Sequence, residues 1–127
     1  MATVFREPNQ VKWVGVRPGH NGTQVIIDIN TLINADLYTV PADSLLMIFG
    51  WSWGVSHNLA AESTIEIKTA GAAHYCWLGL STSQVGEPGI SNNNALFVPI
   101  ELPEGYVISI ITARQCYGHI HGILIDA

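Results

Sequence analysis

The chain reads as all-β, about eight strands in a sandwich, a jelly roll or a closed barrel, preceded by an extended N-terminal arm. Three observations lead there. Short runs rich in Val, Ile, Thr and aromatic residues recur along the 127 residues. Gly, Pro, Asn and Ser punctuate nearly every gap between them, and these residues favour turns for distinct backbone reasons. No run keeps a helical period long enough to name a helix. A chain of this length makes one domain, so residues 1–10 are assigned to the arm and residues 11–127 to a single sandwich. No internal repeat is visible, which disfavours a propeller or a β-helix.

In chain order, residues 1–10 hold only Val4 and Phe5 as adjacent apolar residues, followed by Arg6, Glu7 and Pro8. They read as an arm. A first strand is expected at Val11–Arg17, closed by Pro18-Gly19, and a second, mostly buried, at Gln24–Ile29. Asn30–Leu37 reads as irregular: Leu32, Ile33 and Leu37 have helical spacing, but Asn34 and Asp36 are poor helix formers. Tyr38–Asp43 reads as a turn. Ser44–Trp53 is a central strand in which Gly50 marks a bulge or a close backbone approach. His57, Asn58 and Glu62 mark a loop, and Ser63–Thr69 alternates cleanly, with Ile65 and Ile67 inward.

Gly71 then turns the chain into a core strand, Ala73–Leu80. Ser81–Asn94 is polar and rich in turn residues, a loop of a length usually kept for contact surfaces. Ala95–Leu102 re-enters the sheet, with Pro99 placing it at an edge or a bulge. Tyr106–Thr112 and Gly118–Ile125 end the chain. They read as a hairpin of strands too apolar for edges, entered through a turn at Pro103 and Gly105 where glycine permits positive φ. In the last strand His119, His121, Ile123 and Ile125 share one face, and neither face is clearly polar.

Composition narrows the partners. The chain is 48% hydrophobic and 12% charged, with a net charge of −5, and about twice that charged fraction is usual for a soluble domain. So apolar a surface is expected to be covered by identical subunits. Arg6, Lys12, Arg17, Lys68 and Arg114 are scattered in sequence and form no patch for nucleic acid. No stretch reaches the ~18 apolar residues of a membrane span, and no signal peptide is recognisable. Cys76 and Cys116 sit among apolar neighbours and read as buried free thiols.

The closing segment, Leu102-Pro103-Glu104-Gly105-Tyr106-Val107-Ile108-Ser109-Ile110 followed by Gly118-His119-Ile120-His121-Gly122-Ile123-Leu124-Ile125, resembles the last two strands of the C1q/TNF-like jelly rolls. Tyr106 stands where that family usually has an acidic residue. The resemblance implies a jelly-roll-like β-sandwich of about eight strands, and a trimer packed about a three-fold axis. Compact β-rich trimers with an N-terminal arm also resemble phage capsid decoration, or cement, proteins. Those resemblances imply a homotrimeric virion protein assembled in a host cytoplasm, docking on a major capsid protein or another virion component. Its arm, with Val4, Phe5, Arg6 and Glu7, would be the contact. The alternatives are a receptor- or carbohydrate-binding module of a tail fibre and a small cupin-like metalloenzyme.

Chemistry gives little to an enzyme. His119 and His121 project to one face and have the spacing of a metal-binding pair, with His74 as the candidate third ligand. A cupin-like site also wants a carboxylate after the pair, and Asp126 is the sole acid that follows. Pairing Cys76 or Cys116 with His74 or His119 gives no nucleophile without a cationic neighbour to lower the thiol pKa. Ser52 or Ser56 with His57 and Glu62 is what any polar loop offers. Trp51, Trp53, Tyr75 and Trp77 are expected in the core, and an exposed indole among them would point to saccharide stacking. No catalytic residue, metal or cofactor is assigned.

Overall fold

A computed structural model describes residues 22–55, 61–83 and 92–127. Eight strands are present among them: β1 (Thr23–Thr31), β2 (Ala35–Thr39), β3 (Ser44–Val55), β4 (Ala61–Lys68), β5 (His74–Ser83), β6 (Asn92–Leu102), β7 (Val107–Thr112) and β8 (Cys116–Asp126). They form two four-stranded sheets, ordered β1-β8-β3-β6 and β2-β7-β4-β5, and every pairing is antiparallel. Among consecutive strands only β4 and β5 are hydrogen-bonded neighbours; every other step lies between strands that are not paired. This is the jelly-roll order, as expected. The arm and the Val11–Arg17 run lie outside the described residues, so the eight strands are reached with β2 in place of that run.

The core lies between the sheets because alternation sends one face of each strand inward. Ile27 and Ile29 of β1, Leu46, Ile48, Trp51, Trp53 and Val55 of β3, Ile65 and Ile67 of β4, Ile108 and Ile110 of β7 and Ile120 of β8 are all buried there. The alternation across Ser63–Thr69 is as expected, with Ile65 and Ile67 at 0% exposure. Buried polar groups are matched across the sandwich. The Trp53 indole N–H donates to Ser63 Oγ at 3.2 Å and the Val55 amide to Ser81 Oγ at 3.3 Å. The Trp51 indole donates to Asn92 Oδ1 at 2.8 Å, and Asn92 Nδ2 donates to the Leu80 carbonyl at 3.1 Å. These bonds matter because a buried donor left without a partner costs about 1–3 kcal/mol.

Several expectations need correction. The last two strands are not a hairpin. β7 pairs with β2 and β4, whereas β8 pairs with β1 and β3 in the opposite sheet. The Ala113–Gln115 connection therefore crosses the sandwich, with Thr112 Oγ1 donating to the Arg114 carbonyl at 2.7 Å. Both strands are interior to their sheets, as their apolar character requires.

Asn30–Leu37 is not irregular. Asn30 and Thr31 complete β1, and Ala35–Thr39 is β2. The corner between them exposes Leu32 and Ile33, and Asn34 Oδ1 accepts the Thr112 amide at 2.8 Å. Helical spacing there reflected a strand-to-strand corner. Gln24–Ile29 is half-buried, with Ile26 at 56% exposure. Glu62 lies in β4, and the polar stretch is shorter than expected, since Ser81–Ser83 belong to β5 and Asn92–Asn94 to β6. Gly71 lies in the turn before β5, as expected, and Ala72 beside it takes the positive φ (68°).

Two glycine readings hold. Gly105 adopts φ 81° and its amide bonds the Val40 carbonyl at 2.9 Å. At Gly50 the register of β3 shifts against both neighbours, and a Cβ there would lie 2.8 Å from the Asn94 carbonyl oxygen. Gly118 is tighter still, because a Cβ would meet Trp53 Cα at 2.5 Å. Backbone atoms cannot swing aside as a flexible side chain can. Gly118→Ala is therefore expected to destabilise the fold by about 1–3 kcal/mol, the range for overpacking, read as a lower urea midpoint at unchanged slope.

Candidate functional site

The two outward faces of the sandwich differ in chemistry. On the β1-β8-β3-β6 sheet, alternation along β8 places His119, His121, Ile123 and Ile125 outward, all half-buried. Their register neighbours are Asp28 and Ser52 beside His119, Ile26 and Gly50 beside His121, and Gln24 and Met47 beside Ile123. The imidazoles of His119 and His121 meet edge to face, with centroids 4.6 Å apart. An open depression of about 320 Å³ lies over them, lined also by Phe49, Ser52, Asn94 and Ala95.

The candidate metal ligands do not converge. His74 lies in β5 of the opposite sheet, where its Nδ1 meets Glu66 Oε2 at 2.6 Å. Far from occupying a core strand, it is exposed on an edge strand. Among the described residues no three His, Cys, Asp or Glu side chains stand close enough to hold a metal ion. Cys116 is buried in β8 and Cys76 is half-buried in β5; both are free thiols, and burial pushes the Cys76 thiol pKa up. A raised thiol pKa is the opposite of what a nucleophile needs. His57, Ser56 and the arm residues Val4, Phe5, Arg6 and Glu7 lie outside the described residues.

The edge strand of the same sheet carries a feature that sequence reading reached only in part. Ile48 pairs with Ile100 and Gly50 with Ala95, so Leu96, Phe97, Val98 and Pro99 stand opposite Phe49 alone. Extra residues on one strand must leave the ladder. Phe97 and Val98 accordingly protrude, at 89% and 73% exposure. Pro99 correctly signalled an edge or bulge. The size of the bulge and the apolar pair at its tip were not signalled, because Leu96-Phe97-Val98 reads as ordinary strand.

On the opposite sheet the outward face is mostly polar. Ser109 donates to Asp36 Oδ1 at 2.6 Å, Lys68 Nζ lies 3.6 Å from the same oxygen, and a depression of about 380 Å³ beside them is lined also by Asn34, Glu66 and Ile111. The Ser109 hydroxyl, and then the Lys68 ammonium, hold the Asp36 carboxyl below its ordinary pKa. Next to this depression stands Trp77, the register neighbour of Glu66. Its ring packs on His74 at a centroid distance of 4.8 Å and a 42° tilt. Trp51 and Trp53 are core residues as expected, but Trp77 and Tyr75 are not. They are 54% and 49% exposed, because the β4–β5 register slips twice and β5 is an edge.

No protein-family model matches the chain, and no curated protein matches its sequence. Solved structures to which it is similar include a protein of Bacillus endospore appendages, a family of disulfide-linked pili, at 12% identity and a TM-score of 0.46, covering 91% of this chain and 98% of that one. Others are the Gt strain of infectious bursal disease virus, at 13% identity and a TM-score of 0.39, and the VP2 subviral particle of that virus, at 16% and 0.36. Each covers 91% of this chain, which in turn spans 38% and 37% of those viral chains. Nothing about assembly follows from overlaps of this size.

A lowered folded-state pKa means that the Asp36 contribution to stability is present at neutral pH and is lost as pH falls through that lowered value. Ser109→Ala removes its largest cause. The Asp36 carboxyl should then titrate at a higher pH, closer to the ordinary value, in a carboxyl-carbon NMR titration, and the share of stability that Asp36 loses on acidification should shrink. An unchanged titration midpoint would contradict the assignment of the Ser109 hydrogen bond as the main cause.

Proposed function

We propose that this chain is a non-enzymatic structural subunit, a homotrimer that docks on and stabilises the protein shell of a virion in the manner of a phage decoration protein. The observation that carries this reading is the Phe97–Val98 bulge at the open edge of the β1-β8-β3-β6 sheet. The same sheet presents Ile26, Phe49, Ile123 and Ile125 on its outward face, and so few charges overall leave little to keep such surfaces apart. Apolar residues held out from a sheet edge are anchors in search of a pocket, and a few such anchors carry most of an interface's energy. In the trimer the bulge of one subunit packs against the outward sheet face of the next. Residues 1–10, through Val4, Phe5, Arg6 and Glu7, form the arm that contacts the shell.

Light scattering at micromolar concentration should give three times the 13.8 kDa chain mass. Phe97→Ser should weaken association by about 2 kcal/mol per lost contact, roughly thirtyfold in the dissociation constant, while leaving the monomer folded. A parent protein that is monomeric under these conditions would refute the trimer.

Removal of residues 1–10 separates the two interfaces. The truncated chain should stay folded and trimeric but fail to co-sediment with capsids of its own virus. Loss of folding on truncation would instead make the segment part of the core.

A further inference from the structure

We propose that the outward face of the β2-β7-β4-β5 sheet binds a neutral saccharide chain, with Trp77 as the stacking platform. This goes beyond the structural role above and uses the other sheet. A pyranose ring presents a face of C–H groups rimmed by hydroxyls. Its recognition therefore needs an exposed aromatic surface beside groups that accept and donate hydrogen bonds.

Trp77 meets the first requirement. It is the sole tryptophan among the described residues that is exposed, at 54%, against 6% for Trp51 and 1% for Trp53. Its indole is braced from one side by the His74 ring at 4.8 Å, and His74 is in turn tied to Glu66 Oε2 at 2.6 Å. A braced ring loses less freedom on binding than a loose one.

The polar partners are in place next to it. Glu66 lines the depression that also holds Asp36, Lys68 and Asn34, so carboxylate acceptors and an ammonium donor stand along one path from the indole. Ser109 and Lys68 fix the Asp36 carboxylate through contacts of 2.6 and 3.6 Å to one oxygen. Charge selects the class of ligand. Asp36, Glu62 and Glu66 occupy this face with Lys68 as the cation among them, and the whole chain carries −5. Anionic polysaccharides are disfavoured by that field and neutral ones are not.

Calorimetric titration of the intact chain with the hexasaccharides of glucose, mannose and N-acetylglucosamine, each to about 10 mM, tests the proposal at the millimolar affinities such open sites reach. At least one should bind with a measurable dissociation constant. Trp77→Ala and Asp36→Asn should each weaken that binding at least tenfold, and a sialylated oligosaccharide of equal length should bind less well. Circular dichroism and the emission of the core tryptophans establish that the variants are folded. Phe97→Ser should leave saccharide binding unchanged, which separates failure of this proposal from failure of the trimer. Absence of heat with all three neutral chains, or binding that survives both Trp77→Ala and Asp36→Asn, would overturn it.

Discussion

The sandwich depends on a constraint set by β3. Trp51 and Trp53 fill the space between the sheets, and each brings a polar indole N–H into an apolar interior. Burial of the rings is favourable only if both donors are satisfied. Asn92 and Ser63 meet that need, and each link reaches the other sheet, directly through Ser63 of β4 or onward from Asn92 to the Leu80 carbonyl of β5. Sheet separation, the inward placement of Asn92 and the small residue at Gly118, under Trp53, all follow from housing these two rings.

Because β3 and β8 are joined along nearly their whole length, the outward residues of β8 inherit a fixed frame. His119 and His121 are neighbours for that reason, and the same frame keeps them away from His74. The proximity of the pair is a product of strand pitch, since residues two apart share a face. The opposite sheet is looser at its margin. Register slips in β4–β5 turn Trp77 and Tyr75 out of the interior, and that displacement creates an aromatic, hydrogen-bonding surface on a sheet whose centre is closely packed.

Much of the fold was legible in the residues. Isoleucine alternation identified β4, the long apolar run identified β3, and Gly50, Pro99 and Gly105 each announced a real backbone event. The all-β class followed from turn chemistry and strand spacing, and the jelly roll from the resemblance of the closing segment. Pairing did not. The β7–β8 connection looks like a hairpin loop because local sequence records that the chain turns, while the choice of partner depends on which faces the rest of the chain leaves open. Leu32 and Ile33 mimicked helical spacing at a corner for the same reason. The candidate sites were less legible: Trp77 differs from Trp53 through an edge position and bulges that no residue type marks, and Phe97 and Val98 resemble any strand pair until their register is known.

The bulge at Leu96–Pro99 also governs what kind of assembly is open to this molecule. An exposed sheet edge is a template on which an identical edge can add by backbone hydrogen bonding, and such growth has no natural end. Here the middle of β6 is lifted off the ladder and Pro99 offers no amide hydrogen, so the edge cannot present an unbroken row of donors and acceptors. Contacts there must be made by side chains fitting into a shaped recess. Such contacts fix the angle between neighbours and let a small ring close on itself. The feature that exposes two large apolar side chains thus also disfavours cross-β addition at this edge.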